Sequence, residues 1–162
     1  MSETANTNTP AFDIEALPIT IRYVGQTKRD NDWDCDEWRV VFTTQQRRWE
    51  TPYYTGLGLR SPIPKLYLLF NPPRYGTLAY EQLEKATRKP VTPKKADVLH
   101  SLFMDAMAAD YNFDDWCADY GYDSDSIKAL NTYKECLDTA QRLRSFFTAE
   151  QRAAIQEVIK DM

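Results

Sequence analysis

TPKKADVLHSLFMDAMAAD, Thr92–Asp110, is the stretch at which the apolar period of the chain changes. Val98, Leu99, Leu102, Phe103, Ala106 and Met107 recur three and four residues apart, the spacing of one helical face. Thr92 followed by Pro93 reads as an N-cap and a first helical position. Upstream the period is two. In PITIRYVGQ, residues 18–26, Ile19, Ile21 and Tyr23 alternate with Thr20, Arg22 and Val24, as a half-buried strand requires. WRVVFTT (38–44) and RRWETPYYTG (47–56) are dense in β-branched and aromatic residues, separated from the first run by the polar KRDNDWDCDE. The change of period predicts an α+β fold: a small N-terminal three-stranded antiparallel sheet, joined as a meander, packed against about four C-terminal helices. Pro52 lacks a ladder donor and assigns the third strand to an edge or a bulge.

Downstream of Asp110 the punctuation is helical. Asn112 is placed to cap FDDWCADY, with Phe113, Trp116, Cys117 and Tyr120 on one face and Gly121 as a left-handed terminator. Asp123 or Ser124 is the expected cap of the next helix, whose stripe is Ile127, Leu130, Tyr133, Leu137, Ala140, Leu143 or Arg144, and Phe147. Thr148 and Gln151 have the spacing of a capping box for a last helix with Ile155, Val158, Ile159 and Met162 inward. Six of the nine prolines fall between Pro62 and Pro93, which predicts an irregular excursion over residues 61–91. Within it KLYLLF (65–70) reads as a short strand or an apolar plug, and Tyr80–Arg88 as a short helix. The expected organisation is a disordered lead over residues 1–16, with nothing to bury, and a single α+β domain over 17–162.

At 162 residues and 43% hydrophobic content the chain is the size of one domain with a real core. No window approaches the ~18 apolar residues of a membrane span, and the first residues are polar and acidic where a secretory signal is basic and then apolar. The expectation is a protein that stays in the cytoplasm where it is made, with no membrane partner. Cys35, Cys117 and Cys136 are odd in number and far apart, so they read as reduced thiols, and with His100 they make a poor zinc set. No cofactor and no metal are expected.

The net charge of -4 conceals two opposed blocks. Trp38 to Lys95 carries eleven basic and three acidic residues; Ala96 to Asp125 carries eight acidic and no Lys or Arg. Within the acidic block, DYNFDDWCADYGYDSDS (110–126) holds six carboxylates among five rings. Its first reading is two consecutive helix starts, where carboxylates satisfy free amides and the positive dipole end. A calcium loop is disfavoured because the D-x-D-x-D-G spacing with a distant Glu is missing; Asp30, Asp32, Asp34 and Asp36 alternate, again without the central glycine. A third reading is a carboxylate surface that occupies a phosphate-binding groove on a protein. The candidate protein-binding residues are Trp116, Asp119, Tyr120, Tyr122, Asp123 and Asp125.

The basic block raises an alternative. Arg39, Arg47, Arg48, Trp49, Tyr53, Tyr54 and Arg60, extended by Lys65, Tyr67, Arg74 and Tyr75, interleave cations with rings, the composition with which sheet faces hold single-stranded nucleic acid. A metal-dependent hydrolase using the carboxylates is a third class, which needs side chains converging from separate elements. His100 lies inside a helical pattern, and neither G-x-S-x-G nor H-E-x-x-H occurs, so no catalytic residues are assigned.

YYTGLG (53–58), ADVLHSLFMDA (96–106) and DWCADYGYDSDSIKALNTYKEC (115–136), taken together, resemble a group of small proteins of tailed bacteriophages and prophages with Y-x-T-G-x-G, A-D-V-L and W-C-x-x-Y-G-Y-D-x-D-S elements. The similarity spans Ile19 to Phe147, and the segment from Ser61 to Lys89 is longer here than the connector of that group. The resemblance implies a biological setting and no mechanism: a non-enzymatic accessory protein that binds a host or phage protein, including a defence or nucleic-acid-processing factor.

Overall fold

The computed structural model describes residues 12–29, 32–160 and 162. The described residues form three strands and five α-helices, an α+β fold with the sheet on the N-terminal side. Strands β1 (Ile19–Lys28), β2 (Asp34–Thr43) and β3 (Arg48–Gly56) make one sheet in the order β1-β2-β3, a meander with Pro52 on an edge strand. Helices follow as α1 (Leu78–Thr87), α2 (Lys95–Ala106), α3 (Phe113–Tyr120), α4 (Ile127–Phe146) and α5 (Ala149–Ile159). Four of them lie C-terminal to residue 94, and α1 answers to the short helix read at Tyr80–Arg88.

The chain divides into two compact units: Met1–Ile19, Phe42–Trp49 and Lys94–Met162 in one, Thr20–Val41 and Glu50–Pro93 in the other. Of the expected lead, residues 1–11 lie outside the described residues, as does Asp30. Ile14–Ala16 form a 3₁₀ turn capped by Asp13, with Ile14 buried.

In the helical unit, α2 packs on α4 and α5, burying Val98, Leu99, Leu102 and Phe103 against Ala140, Leu143, Ile155 and Ile159. Phe42 and Trp49, at the turn end of the β2–β3 hairpin, stack with centroids 4.7 Å apart, and Phe146 and Phe147 close on Phe42 at 6.1 Å. Thr148 and Gln151 form the anticipated capping box of α5.

Local readings are corrected in five places. Helix α2 begins at Lys95, not at Pro93: Lys94 is its cap and makes no side-chain cap bond, while Lys95 Nζ donates to the carbonyls of Glu15 and Leu17 at 2.6 and 2.9 Å and ties the first turn to the chain start. Helix α4 is capped by Ser126, whose hydroxyl accepts the Ala129 amide, rather than by Asp123 or Ser124. Its first turn buries Ala129, so Ile127, about 200° away around the helix, is 77% exposed and leaves the stripe together with Leu130. In α5, Ile155 and Ile159 point inward four apart, and Val158 and Met162 are exposed. Residues 65–70 are neither strand nor plug: Lys65–Leu68 make a 3₁₀ turn and none of the six side chains is buried.

Candidate interaction surfaces

The ring cluster of the helical unit is assembled by two caps. Asn112 Oδ1 accepts the Asp115 amide at 2.8 Å and starts α3; Gly121, at φ 75°, ends it. With glycine in the left-handed region the Tyr122 amide reaches back to the Cys117 carbonyl at 2.9 Å, the closing bond of a Schellman motif. That reversal lays the Tyr122 ring on Trp116, centroids 4.7 Å apart and planes within 9°. Trp116, 4% exposed, also meets Tyr133 at 5.3 Å and Tyr120 at 5.7 Å. The Tyr133 hydroxyl donates to the Tyr111 carbonyl at 2.6 Å, fixing the other side of the cluster.

The six candidate protein-binding residues thus divide by role. Trp116 is core, packed with Cys117, Ala108 and Ala129. Tyr120 and Tyr122, 44% and 39% exposed, carry ring surface outward. Asp119, Asp123 and Asp125 are exposed beside them, and Asp123 Oδ1 accepts the Asp125 amide at 3.0 Å. Asp114 and Asp115 occupy the first turn of α3, as a helix start predicts, whereas Asp123 and Asp125 build the turn ahead of α4.

The basic aromatic set is not gathered on one face. Trp49 is buried on Phe42, and Arg47, in the β2–β3 turn, donates to the carbonyl and hydroxyl of Ser145. Tyr53 and Tyr54 are consecutive in β3 and point to opposite sides; Tyr54 lies under the Arg29 guanidinium, 4.0 Å from its centroid. Arg39 is half-buried in β2, and Arg48 is exposed at the start of β3.

Arg60 is engaged in a constellation the sequence did not announce. Its Nε donates to Asp36 Oδ2 at 2.9 Å and its Nη2 to Oδ1 at 2.6 Å, and the Tyr23 hydroxyl donates to Oδ1 at 2.9 Å. Asp36 is 1% exposed. The Arg60 bonds hold its carboxyl below the usual range against the opposing effect of burial, and Tyr23 is pushed up by burial and by its bond to Asp36. Alongside, Trp38 Nε1 donates to Thr55 Oγ1 at 2.8 Å, and its ring meets Tyr23 edge-on. Among the described residues no buried side-chain nitrogen or oxygen lacks a partner. With three donors on a carboxylate that is only 1% exposed, the pair offers no approach to a substrate; it is a structural clasp.

Other reactive groups are muted. Cys35 and Cys117 are buried, with thiols raised by burial, and Cys136 is pushed up to about 11 by burial and the neighbouring Asp105 and Glu135. Among the described residues no three His, Cys, Asp or Glu side chains stand where they could hold a metal ion. A cleft of about 320 Å³ in the helical unit has Phe103, Ala140 and Leu143 among its apolar lining and Asp110, Arg144 and Arg152 as charged groups, with no nucleophile–base pair. No helix among the described residues is long and apolar enough to cross a membrane. No protein-family model, curated protein or solved structure matches the chain.

Proposed function

We propose that this is a phage- or prophage-encoded accessory protein without catalytic activity, which acts by binding a host or phage protein through the surface around Tyr120 and Tyr122. The observation that carries the reading is the parallel stack of Tyr122 on buried Trp116, beside exposed Asp119, Asp123 and Asp125. A ring held by the core loses little conformational entropy on binding, and such rings are the usual anchors of interfaces. The carboxylates around it match by charge a groove that otherwise takes phosphates, which makes a nucleic-acid-processing or defence factor a suitable partner. The resemblance to small phage proteins supports the setting.

The test is capture of partners from host and phage-infected lysates, followed by direct titration of each purified partner with wild type and with Asp119→Asn/Asp123→Asn/Asp125→Asn. The variant is expected to retain its fold and lose at least about tenfold in affinity, with the difference shrinking as salt rises. Unchanged affinity for every partner would dismiss this surface. A gel shift with single-stranded DNA or RNA that collapses with salt would favour the basic residues instead.

A further inference from the structure

Ser61 to Lys89 is a loop closed at its base. The Ser61 amide donates to the Lys89 carbonyl and the Lys89 amide to Ser61 Oγ, both at 2.8 Å. Arg88 locks the closure, donating to the carbonyls of Ser61, Arg60 and Gly58 at 2.9, 3.2 and 3.3 Å while Glu84 holds its other end at 3.1 Å. A loop whose base is fixed this way presents its tip in a defined direction at low entropic cost.

The tip is apolar and faces outward. Leu66, Tyr67, Leu68, Leu69 and Phe70 are consecutive and all exposed, Phe70 at 82%; Tyr75, at 88%, lies between Asn71 and Gly76, both at positive φ. Five adjacent exposed hydrophobic residues form a patch of a kind monomers rarely leave bare. Side chains in a 3₁₀ turn step by about 120°, so Leu66, Tyr67 and Leu68, within the turn Lys65–Leu68, radiate around it and do not form a stripe. A flat protein surface covers one side of such a tip; a bilayer interface surrounds it.

Charge and backbone point the same way. No carboxylate occurs between Glu50 and Glu81, and exposed Lys65 and Arg74 flank the apolar run. Pro62, Pro64, Pro72 and Pro73 remove four amide donors near the tip, which lowers the cost of taking that backbone out of water. Tyr67 and Tyr75 supply rings with polar ends suited to the headgroup layer. Bases of single-stranded nucleic acid could stack on the rings but would leave Leu66, Leu68 and Leu69 in water.

We propose that this loop docks on an anionic lipid surface, Leu66, Leu69 and Phe70 entering the interface and Lys65 and Arg74 meeting the headgroup phosphates. The contact is peripheral.

The test uses the full chain with vesicles of phosphatidylcholine alone and of phosphatidylcholine and phosphatidylglycerol in equal parts, read by co-sedimentation. Binding is expected to the mixed vesicles only and to weaken with salt. Leu69→Asp/Phe70→Asp should lower it about a hundredfold or more, and Lys65→Glu/Arg74→Glu at least about fivefold per cation. Both variants replace exposed side chains, and unchanged far-UV circular dichroism verifies their fold. No binding to the mixed vesicles, or equal binding by Leu69→Asp/Phe70→Asp, would overturn the proposal. So would self-association, seen by sedimentation velocity without lipid and abolished by the same variant, in a chain that no vesicle retains; the tip would then be a contact between copies.

Discussion

Arg60 holds Asp36 with two nitrogens, at 2.9 and 2.6 Å, and so fastens the segment that leaves β3 to the middle strand of the sheet. A carboxylate at 1% exposure near the start of β2 is tolerable only because Arg60 and Tyr23 supply three donors to it. Arg60 therefore serves the sheet.

Removing one partner of this pair leaves a buried charge without compensation. Arg60→Ala is expected to lower stability by about 3–5 kcal/mol, the range for broken buried pairs. Asp36→Leu/Arg60→Met removes both charges and is expected to lose much less. Urea unfolding followed by circular dichroism separates the two; equal losses would mean that packing of the Arg60 stem, and not the ion pair, is what matters.

The same pair sets a pH dependence. Asp36 has a lowered pKa in the folded chain, first through the Arg60 bonds, so the unfolded chain binds its proton more readily. Its contribution to stability is complete above the unfolded carboxylate value, about 3.9, and is lost as pH falls through the lower folded value. Asp36→Asn is expected to flatten that part of the acid limb of stability against pH and leave the neutral range parallel to wild type; the alkaline limb, on which Tyr23 titrates, changes too, because Asp36 helps to push Tyr23 up. An acid limb of unchanged steepness would assign the dependence to other carboxylates.

The legibility of the fold follows the strength of local signals. Asn112 with Gly121 around α3 and the Thr148–Gln151 box rest on backbone requirements that few residues satisfy, and both elements stand where they put them, whereas the change from period two to helical spacing near residue 92 places α2 but not its first residue. The start of α4 was less legible because Asp123, Ser124, Asp125 and Ser126 are all competent caps; burial of Ala129, a tertiary matter, selects Ser126. Asp36 looked like one of four alternating aspartates, since nothing in DWDCDE reports that Arg60, 24 positions on, faces it. KLYLLF read as core or strand because hydrophobic content alone does not distinguish a segment that packs from one held out by prolines and a closed base.

In the acidic ring surface, Gly121 is the residue on which the geometry turns. Its φ of 75° carries the chain back so that Tyr122 meets Trp116, and no neighbouring atom lies within 4 Å of where a Cβ would stand. Gly121→Ala therefore meets no steric clash with the fold; its cost is the left-handed backbone itself, about 1–2 kcal/mol. Gly121→Asn should cost less, because asparagine visits that region more readily. If the Schellman reversal holds the stack in place, Gly121→Ala will also weaken the near-ultraviolet circular dichroism of the Trp116–Tyr122 pair, as Tyr122→Ala does, while far-UV helix content is retained. A destabilised Gly121→Ala chain with the wild-type near-ultraviolet spectrum would show that α3 ends the same way without glycine, and that Tyr122 is held by the ring cluster and not by the turn.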